Sequence, residues 1–426
     1  MDILFVCHSF PIPPKSGDKI RAYHIIRHLA RRHRVIVATL TRTSDDEALA
    51  SAWCAGNPPE VMRGVELIAA HVGGAQQSAR MIVRLATITP SSFGYFYSGE
   101  LHRKVDLALA NLRFDLVFVH CSSVAHYVDR ARGMPRILDF ADMDSQKWLD
   151  YGSQRHLPIA LGYRLEGIKL EREERRLASR FDVCTVVTPA ELATLNGFGT
   201  SCRTDWFPNG VDCEFFQPVR EPYDRDLVVF VGKMDYFPNE QGVIDFCRTT
   251  WPSIRAARPG ARFAVVGSNP TRAVRALGDI DGVTVTGAVD DVRPSLARAA
   301  VAVAPLKLAR GTQNKVLEAM ASGIPVVASQ LAARGVDAVA DEHLLVANDP
   351  KAFADAVLRI MNDETLRARL AVAGRARMLS HHTWDHAMQR LDTIVGPLVD
   401  APSARRQMVE PSCGLGTDAA TVAKAR

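Results

Sequence analysis

The segment 301–329, VAVAPLKLARGTQNKVLEAMASGIPVVAS, holds the densest set of residues able to handle a charged ligand. An apolar run enters a loop carrying Arg310, Gly311 and Thr312, and a helix-forming stretch follows with Asn314, Lys315 and Glu318. Gly323 to Pro325 stops that helix before another apolar run. A glycine-bearing turn at a helix start presents backbone N–H groups and the positive end of the helix dipole, which suits a diphosphate. Arg310 and Lys315 add charge-assisted bonds to phosphate oxygens, and Glu318, further along the helix, accepts bonds from ribose or sugar hydroxyls. The same lysine and glutamate also fit an ordinary i,i+3 surface pair on a crossover helix. A second glycine turn, VFVGKMDYFPNEQG, puts Gly232 where a backbone can approach a phosphate and Lys233 where its ammonium can reach it. The alternative for those two residues is a tight strand-to-helix turn with an exposed lysine.

The first half carries chemistry at three strand ends. HSFPIPPKSGDKIR follows the first apolar run, and its Lys15, Lys19 and Arg21 suit an anionic ligand; a proline-braced loop capped by Ser16 or Asp18 is the plainer reading. His120 closes LVFVHC, at a carboxyl end where open α/β sheets bind ligands, with His126 as its rival and core packing open to both. LDFADMDSQKW gathers Asp139, Asp142, Asp144 and Ser145; one carboxylate can serve as general base or hold a sugar, while Asp144 or Ser145 can cap a helix. In PNGVD (208–212), Asn209-Gly210 predicts a turn with positive φ.

These residues need strands and helices in alternation, and the chain supplies them. Apolar runs at 3–7, 35–40, 116–121, 136–140 and 183–187 are separated by helical patterns, including a charged helix over about 159–180. Proline, asparagine, glycine and charge break the pattern near 203–226, read as an interdomain linker. It restarts at 227–232, 262–267, 283–287, 301–305, 325–329 and 344–348, with helices at 239–257, 311–322 and 350–361. Alternation of this kind predicts an α/β fold of two Rossmann-like halves, each on a parallel sheet. The expected organisation is a first domain over 1–205, a second over 206–382, a C-terminal helix over 383–399 returning to the first domain, and a disordered tail over 400–426.

Composition sets limits on the rest. With 426 residues the chain is too long for one ordinary core. A net charge of +5 spread over that length gives no basic arm for nucleic acid, although a mildly basic surface suits anionic lipid. The eight cysteines show no CxxC spacing, so neither a zinc site nor a disulfide framework is expected. Residues 1–10 lack the basic start of a signal peptide, and no run approaches the roughly 20 apolar residues of a spanning helix. The expectation is a cytoplasmic protein, soluble or at the inner face of the cytoplasmic membrane.

EAMASGIPVVAS resembles the nucleotide-binding signature of retaining GT-B glycosyltransferases of the group-1 or family-four class. ARGTQNKVLEAMASG together with DYFPN is similar to a narrower branch, the sugar transferases associated with PEP-CTERM/exosortase exopolysaccharide systems. The resemblance runs over about 1–395. It implies two Rossmann-like domains facing across a cleft, residues 1–205 binding the acceptor and 206–382 the nucleotide-sugar donor, with retention of anomeric configuration, no required metal, and no cofactor beyond that co-substrate. It makes Glu318 the ribose contact, Gly17 and Asp18 part of an acceptor loop, His120 a neighbour of the donor sugar, Asn209 a residue approaching the donor, and Asp142 and Asp144 site residues. Two positions depart from the family pattern: Arg310 stands where a first glutamate is usual, and Pro238 where a lysine is usual. The DxD spacing of Asp142 and Asp144 belongs to a different fold context from that of metal-dependent transferases. The implied partners are a nucleotide-sugar donor and a glycan or polyprenyl-diphosphate-linked acceptor. Membrane contact would come through residues such as Tyr95, Phe96 and Tyr97, which fit core packing equally. A nucleotide-sugar epimerase of similar architecture and a non-catalytic scaffold of a polysaccharide assembly complex are the rival functions; a Rossmann dehydrogenase lacks its strand-linked GxGxxG.

Overall fold

The structure is a computed structural model that describes residues 1–219 and 222–400. Its first sheet contains β1 (Asp2–Cys7), β2 (Arg34–Thr41), β3 (Glu66–His71), β4 (Leu116–His120), β5 (Arg136–Ala141), β6 (Val183–Val186) and β7 (Arg203–Trp206). They lie in the order β3-β2-β1-β4-β5-β6-β7, and every pairing is parallel. The second sheet contains β8 (Asp224–Val231), β9 (Arg262–Val266), β10 (Val283–Gly287), β11 (Ala299–Ala304), β12 (Val326–Ala328) and β13 (Leu345–Val346), in the order β10-β9-β8-β11-β12-β13. Both sheets are Rossmann-like, and the strand order of each reverses beside its first strand. That reversal opens a crevice at the carboxyl ends, between β1 and β4 and again between β8 and β11.

The central strands read as continuous apolar runs because helices cover both faces. Ile3, Phe5 and Phe118 point to one side of the first sheet and Leu4, Val6, Val117 and Val119 to the other, feeding two separate cores. Two strands depart from the sequence reading. β3 was not anticipated, and β7 falls inside the stretch assigned to the linker. Both are edge strands of mostly exposed or half-exposed residues; β7 has no apolar run, and the run of β3, Leu67–Ala70, is only four residues long. The helix expected over 239–257 is two, Phe237–Thr249 and Trp251–Ala257, divided where Pro252 follows Thr250 and Trp251.

The last helix, Trp384–Asp400, packs on the first domain: Met388, Leu391 and Ile394 share a core with Ile3, Phe5 and Ile26. The Trp384 indole stacks on His24 with 4.0 Å between ring centroids, and the His28 ring lies 2.7 Å from Asp392 Oδ1. A Cβ on Gly210 would sit 2.6 Å from the Trp384 backbone. Close approach, rather than the expected positive φ, is therefore what requires glycine there, since Gly210 is absent from the left-handed region. The disordered tail expected over 400–426 falls, beyond Asp400, outside the described residues. The seven described cysteines are all unpaired, and among the described residues no helix is long and apolar enough to cross a membrane.

Candidate functional site

Parallel pairing places one residue from each of three neighbouring strands side by side at the carboxyl edge of the first sheet: His120 on β4 beside Asp139 on β5, and Asp139 beside Thr185 on β6. Asp139 is fully buried and accepts four hydrogen bonds. Arg21 donates from Nε at 2.8 Å and from its second terminal nitrogen at 2.9 Å, Thr185 Oγ1 donates at 2.9 Å, and His120 Nδ1 lies 2.8 Å away. Burial alone would push the Asp139 carboxyl up; the charge and bonds of Arg21, with those of His120, outweigh it and hold the group below the ordinary carboxylate range. Arg21 then donates to Asn209 Oδ1 at 2.9 Å and to Phe207 O at 3.2 Å, and its guanidinium lies over the Phe207 ring.

This network revises two expectations. Arg21 is not offered to an anionic ligand, because it is 1% exposed and committed to Asp139. Asn209 faces Arg21, so its amide oxygen closes a buried network. His120 differs from both: with Nδ1 fixed by Asp139, its Nε2 is buried without any hydrogen-bond partner. A polar atom in that state marks a place where a ligand or water completes the bonding.

The loop after β1 is held by Asp18. Its carboxylate accepts from Ser16 Oγ at 2.5 Å and pairs with His8 Nε2 at 3.2 Å. Burial raises its pKa, but His8, Ser16 and Ser9 outweigh this and bring it below the usual range. Ser16 does not cap the following helix, Gly17–Ala30, with its side chain. Lys19 pairs with Asp46, whereas Lys15 is exposed. Gly17 faces the second domain: a Cβ added there would stand 3.6 Å from Asn314 Nδ2.

After β5 the chain turns at Ala141, with φ of 60°, into the helix Asp144–Ser153. Capping by Asp144 or Ser145 is not seen. Met143 occupies the N-cap; Glu191 Oε2 accepts its N–H at 2.9 Å, and Glu174 Oε1 accepts that of Ser145 at 2.9 Å. Asp142 lies beside these carboxylates, and burial, then Glu191, push it up to about 6. Asp144 lies 3.7 Å from Lys147, whose ammonium is 5.8 Å from the Tyr236 ring of the second domain. Burial would lower the Lys147 pKa, but Asp144, Tyr236 and Asp142 raise it, so this lysine stays charged at the seam.

On the second domain, the loop after β11 leads into the helix Asn314–Ala321. Gly311 has φ of 61°, and a Cβ there would overlap the Asp142 carboxylate. The first domain's acid thus rests directly against the second domain's glycine. Gly335 is pressed against the Gly311 carbonyl from the other side. Thr312 Oγ1 and Asn314 Oδ1 are buried with no partner. Lys315 and Glu318 are beyond ion-pairing distance of each other, although each feels the other's charge. Lys315 Nζ lies 3.3 Å from Gln313 Oε1 and 5.5 Å from the Phe230 ring centroid. Burial lowers Lys315 to about 8 and raises Glu318 to about 7, each shift opposed by the other residue's charge.

Three residues of the second domain sit differently from the sequence reading. Arg310 turns to the first domain, with Nε 2.6 Å from Asp150 Oδ2 and a terminal nitrogen 3.2 Å from Glu191 Oε1, so it clasps two carboxylates rather than standing open to phosphate. Lys233 is exposed and pairs with Asp235 at 3.3 Å. Gly232 is required by close approach: a Cβ would meet Asn239 Nδ2 at 2.7 Å. Asn239 donates to Lys233 O at 2.9 Å and keeps its own Oδ1 buried and unpartnered.

Sequence reasoning missed Lys147, Asp150, Glu174 and Glu191, whose roles depend on contacts between distant parts of the chain. Asn239 was visible within DYFPN. His126 is packed among Tyr97, His102 and Tyr127, and burial pushes it down to about 3. It belongs to the core rather than the cleft.

Two family descriptions match the chain: "Glycosyltransferase Family 4" over residues 17–215 and "Glycosyl transferases group 1" over 225–363. A GDP-mannose-dependent monoacylated alpha-(1-6)-phosphatidylinositol monomannoside mannosyltransferase of Corynebacterium glutamicum is 26% identical over 243 residues, 52% of this chain and 64% of that protein. A phosphatidyl-myo-inositol mannosyltransferase of Mycobacterium leprae is 29% identical over 187 residues, 42% of this chain and 49% of that one. The match therefore spans about half to two thirds of these relatives. Among solved structures, the sucrose-phosphate synthase of Thermosynechococcus elongatus superposes with a TM-score of 0.71 at 18% identity, covering 94% of this chain and 100% of that one. Anabaena HepE in complex with UDP gives 0.64 at 15% identity, covering 93% and 100%. TarM gives 0.67 at 9% identity, covering 94% and 99%. With two Rossmann-like domains, a polar cleft between them and both halves matched, the chain belongs to the group 1, family 4 class of glycosyltransferases and has the GT-B fold.

Proposed function

We propose that this chain is a retaining glycosyltransferase moving a sugar from a nucleotide-sugar donor to a lipid-linked or glycan acceptor in exopolysaccharide assembly. The observation that carries the reading is the set of buried, unpartnered polar atoms on the two faces of one cleft: His120 Nε2 from the first domain, and Thr312 Oγ1 and Asn314 Oδ1 from the second. What supports the reading is their convergence from two domains, since atoms in the same state also lie elsewhere, at His28 and Gln77 for example. The PEP-CTERM/exosortase association rests on the similarity of ARGTQNKVLEAMASG and DYFPN alone.

In this reading the second domain holds the donor. Glu318 accepts from ribose hydroxyls, while Lys315 and the N–H groups at the start of its helix meet the diphosphate. Gly232 permits a close backbone approach on the same side, and Lys233 gives up Asp235 to reach the phosphates. The glycosidic C1–O bond breaks as the diphosphate takes the electron pair, and the acceptor oxygen bonds to C1 from the same face. The acceptor's proton passes to the departing phosphate oxygen or to Asp142. Positive charge facing the leaving group supplies most of the catalysis, with no metal and no covalent enzyme intermediate. Asp144, paired with Lys147, keeps that cation beside the incoming phosphates.

Arg310 and Asp142 go together. Arg310 stands where relatives of this resemblance carry a glutamate, and it is drawn away by Asp150 and Glu191. The Asp142 carboxylate lies against Gly311, one residue on. We assign to Asp142 the carboxylate role towards the donor sugar that position 310 lacks. His120, oriented by Asp139, holds a sugar hydroxyl from the other side, and Gly17 and Asp18 line the acceptor approach.

The names of relatives support a lipid-linked acceptor, since the Corynebacterium and Mycobacterium proteins are described as acting on phosphatidylinositol compounds. They do not agree on a donor base: one relative is named GDP-mannose-dependent, and HepE was crystallised with UDP and UDP-glucose. The test is transfer from each sugar nucleotide to a short polyprenyl-diphosphate glycan, with the product anomer read by NMR. An axial-to-axial or equatorial-to-equatorial outcome fits retention. Inversion, or free sugar formed without any dependence on acceptor, contradicts the reading.

A further inference from the structure

Large apolar side chains exposed on the first domain are concentrated in two segments. Ile82, Val83, Leu85 and Ile88 are 60%, 70%, 57% and 74% exposed; Leu157, Ile159, Leu161, Leu165 and Ile168 are 78%, 57%, 52%, 51% and 60% exposed. The first group lies on and just after the helix Gly74–Leu85, which buries only Gln77. The second lies on and just before the helix Ile159–Ala178, where Leu161, Leu165 and Ile168 recur at helical spacing on one face. A soluble surface scatters such residues singly, so nine in two segments call for a partner.

The segments form one surface. Lys169 Nζ donates to Leu85 O at 2.8 Å, tying the end of the first helix to the middle of the second. Glu166, facing inward, accepts from the N–H of Ser91 at 2.6 Å. The charge of this surface selects its partner. Residues 72–92 and 157–170 contain Arg80, Arg84, Arg164 and Lys169, and their one acid is that buried Glu166; Arg155 is turned instead to Phe237 of the second domain. An apolar strip flanked by these cations, with the next acids along the helix, Glu171 and Glu173, paired to Arg175 and Arg176, complements an anionic lipid bilayer.

The same surface adjoins the cleft. Residues 91–97 run from it to Phe96, whose ring centroid is 4.7 Å from that of His8, the partner of Asp18. Tyr95, Phe96 and Tyr97 themselves are only half exposed, and Tyr97 packs with Tyr127 and His126. The aromatic triplet thus serves as packing between this face and the cleft rather than as the membrane contact itself.

We propose that the first domain docks on an anionic membrane through Ile82, Val83, Leu85 and Ile88 together with Leu157–Ile168, bringing the cleft's first-domain loop to the bilayer surface. The surface is identified without reference to donor chemistry, so its failure would leave the transferase reading standing. The experiment is flotation of the full chain with vesicles of phosphatidylcholine alone and of phosphatidylcholine with 30% phosphatidylglycerol (roughly, a composition giving a negative surface). The protein should float with the anionic vesicles, release as salt rises, and lose at least about tenfold in partitioning in the double variant Ile82→Asp, Leu165→Asp. Both positions are exposed, so the variant should unfold at the wild-type temperature. No flotation, or flotation that the double variant leaves unchanged, overturns the proposal. So does a wild-type dimer in size exclusion that the variant splits while lipid binding is absent; the face would then join two copies of this chain.

Discussion

Lys315 and Glu318 give the site a pH signature. In the free protein the Glu318 carboxyl is raised to about 7 and the Lys315 ammonium lowered to about 8, both by burial. A nucleotide bound through Glu318 needs the carboxylate, so affinity falls as pH drops below about 7. Contact with diphosphate needs the ammonium, so affinity also falls as pH rises above about 8. Each limb should approach about tenfold per pH unit well beyond its pKa. Calorimetric titration across this range should show the alkaline limb vanish in Lys315→Met and the acid limb flatten in Glu318→Gln. The Arg21–Asp139 pair supports a prediction of another kind. Asp139→Asn would leave a buried guanidinium uncompensated and should cost about 3 kcal/mol or more by chemical denaturation. Because His120 loses its fixed orientation at the same time, transfer should fall further than stability accounts for.

Among the elements, the central strands were legible because burial on both faces writes unbroken apolar runs such as ILFVC and LVVFVG. The edge strands ELIAAH and RTDW were not, because the apolar run of the first is only LIAA and the second has none. The donor helix with Lys315 and Glu318 could be read locally, since its glycine turn, cation and acid are neighbours in sequence. The first-domain network could not. Arg21 meets partners 118 and 188 residues away, and no periodicity announces a contact of that separation. Likewise Arg310 is plain in the sequence, but its direction is set by Asp150 and Glu191 of the other domain. Gly210 offers a test at this scale. Gly210→Ala drives a methyl into the Trp384 backbone and should loosen the last helix, costing about 1–3 kcal/mol in denaturation. Trimming Trp384 would not relieve that clash, because the backbone is what collides.

The whole molecule is held together across its cleft by a few polar and aromatic contacts. Arg310 reaches Asp150 and Glu191, Tyr151 packs edge-on against Phe237 at 5.4 Å, and Arg155 lies over the same ring at 3.9 Å. Arg310→Glu sets three carboxylates together and should open the domains, seen as a larger radius of gyration by small-angle scattering. Asp150→Arg in the same chain should restore part of the compactness, and an unchanged radius in the single variant would show that Arg310 is not the clasp. The central claim concerns what the closed cleft holds, and one measurement addresses it most directly. UDP, GDP, ADP and their sugar conjugates would be titrated calorimetrically into the full chain and into Glu318→Ala. The account predicts micromolar binding of one nucleotide, weakened at least about tenfold by the substitution. Absence of binding across the panel by folded protein, or binding indifferent to Glu318, would contradict it.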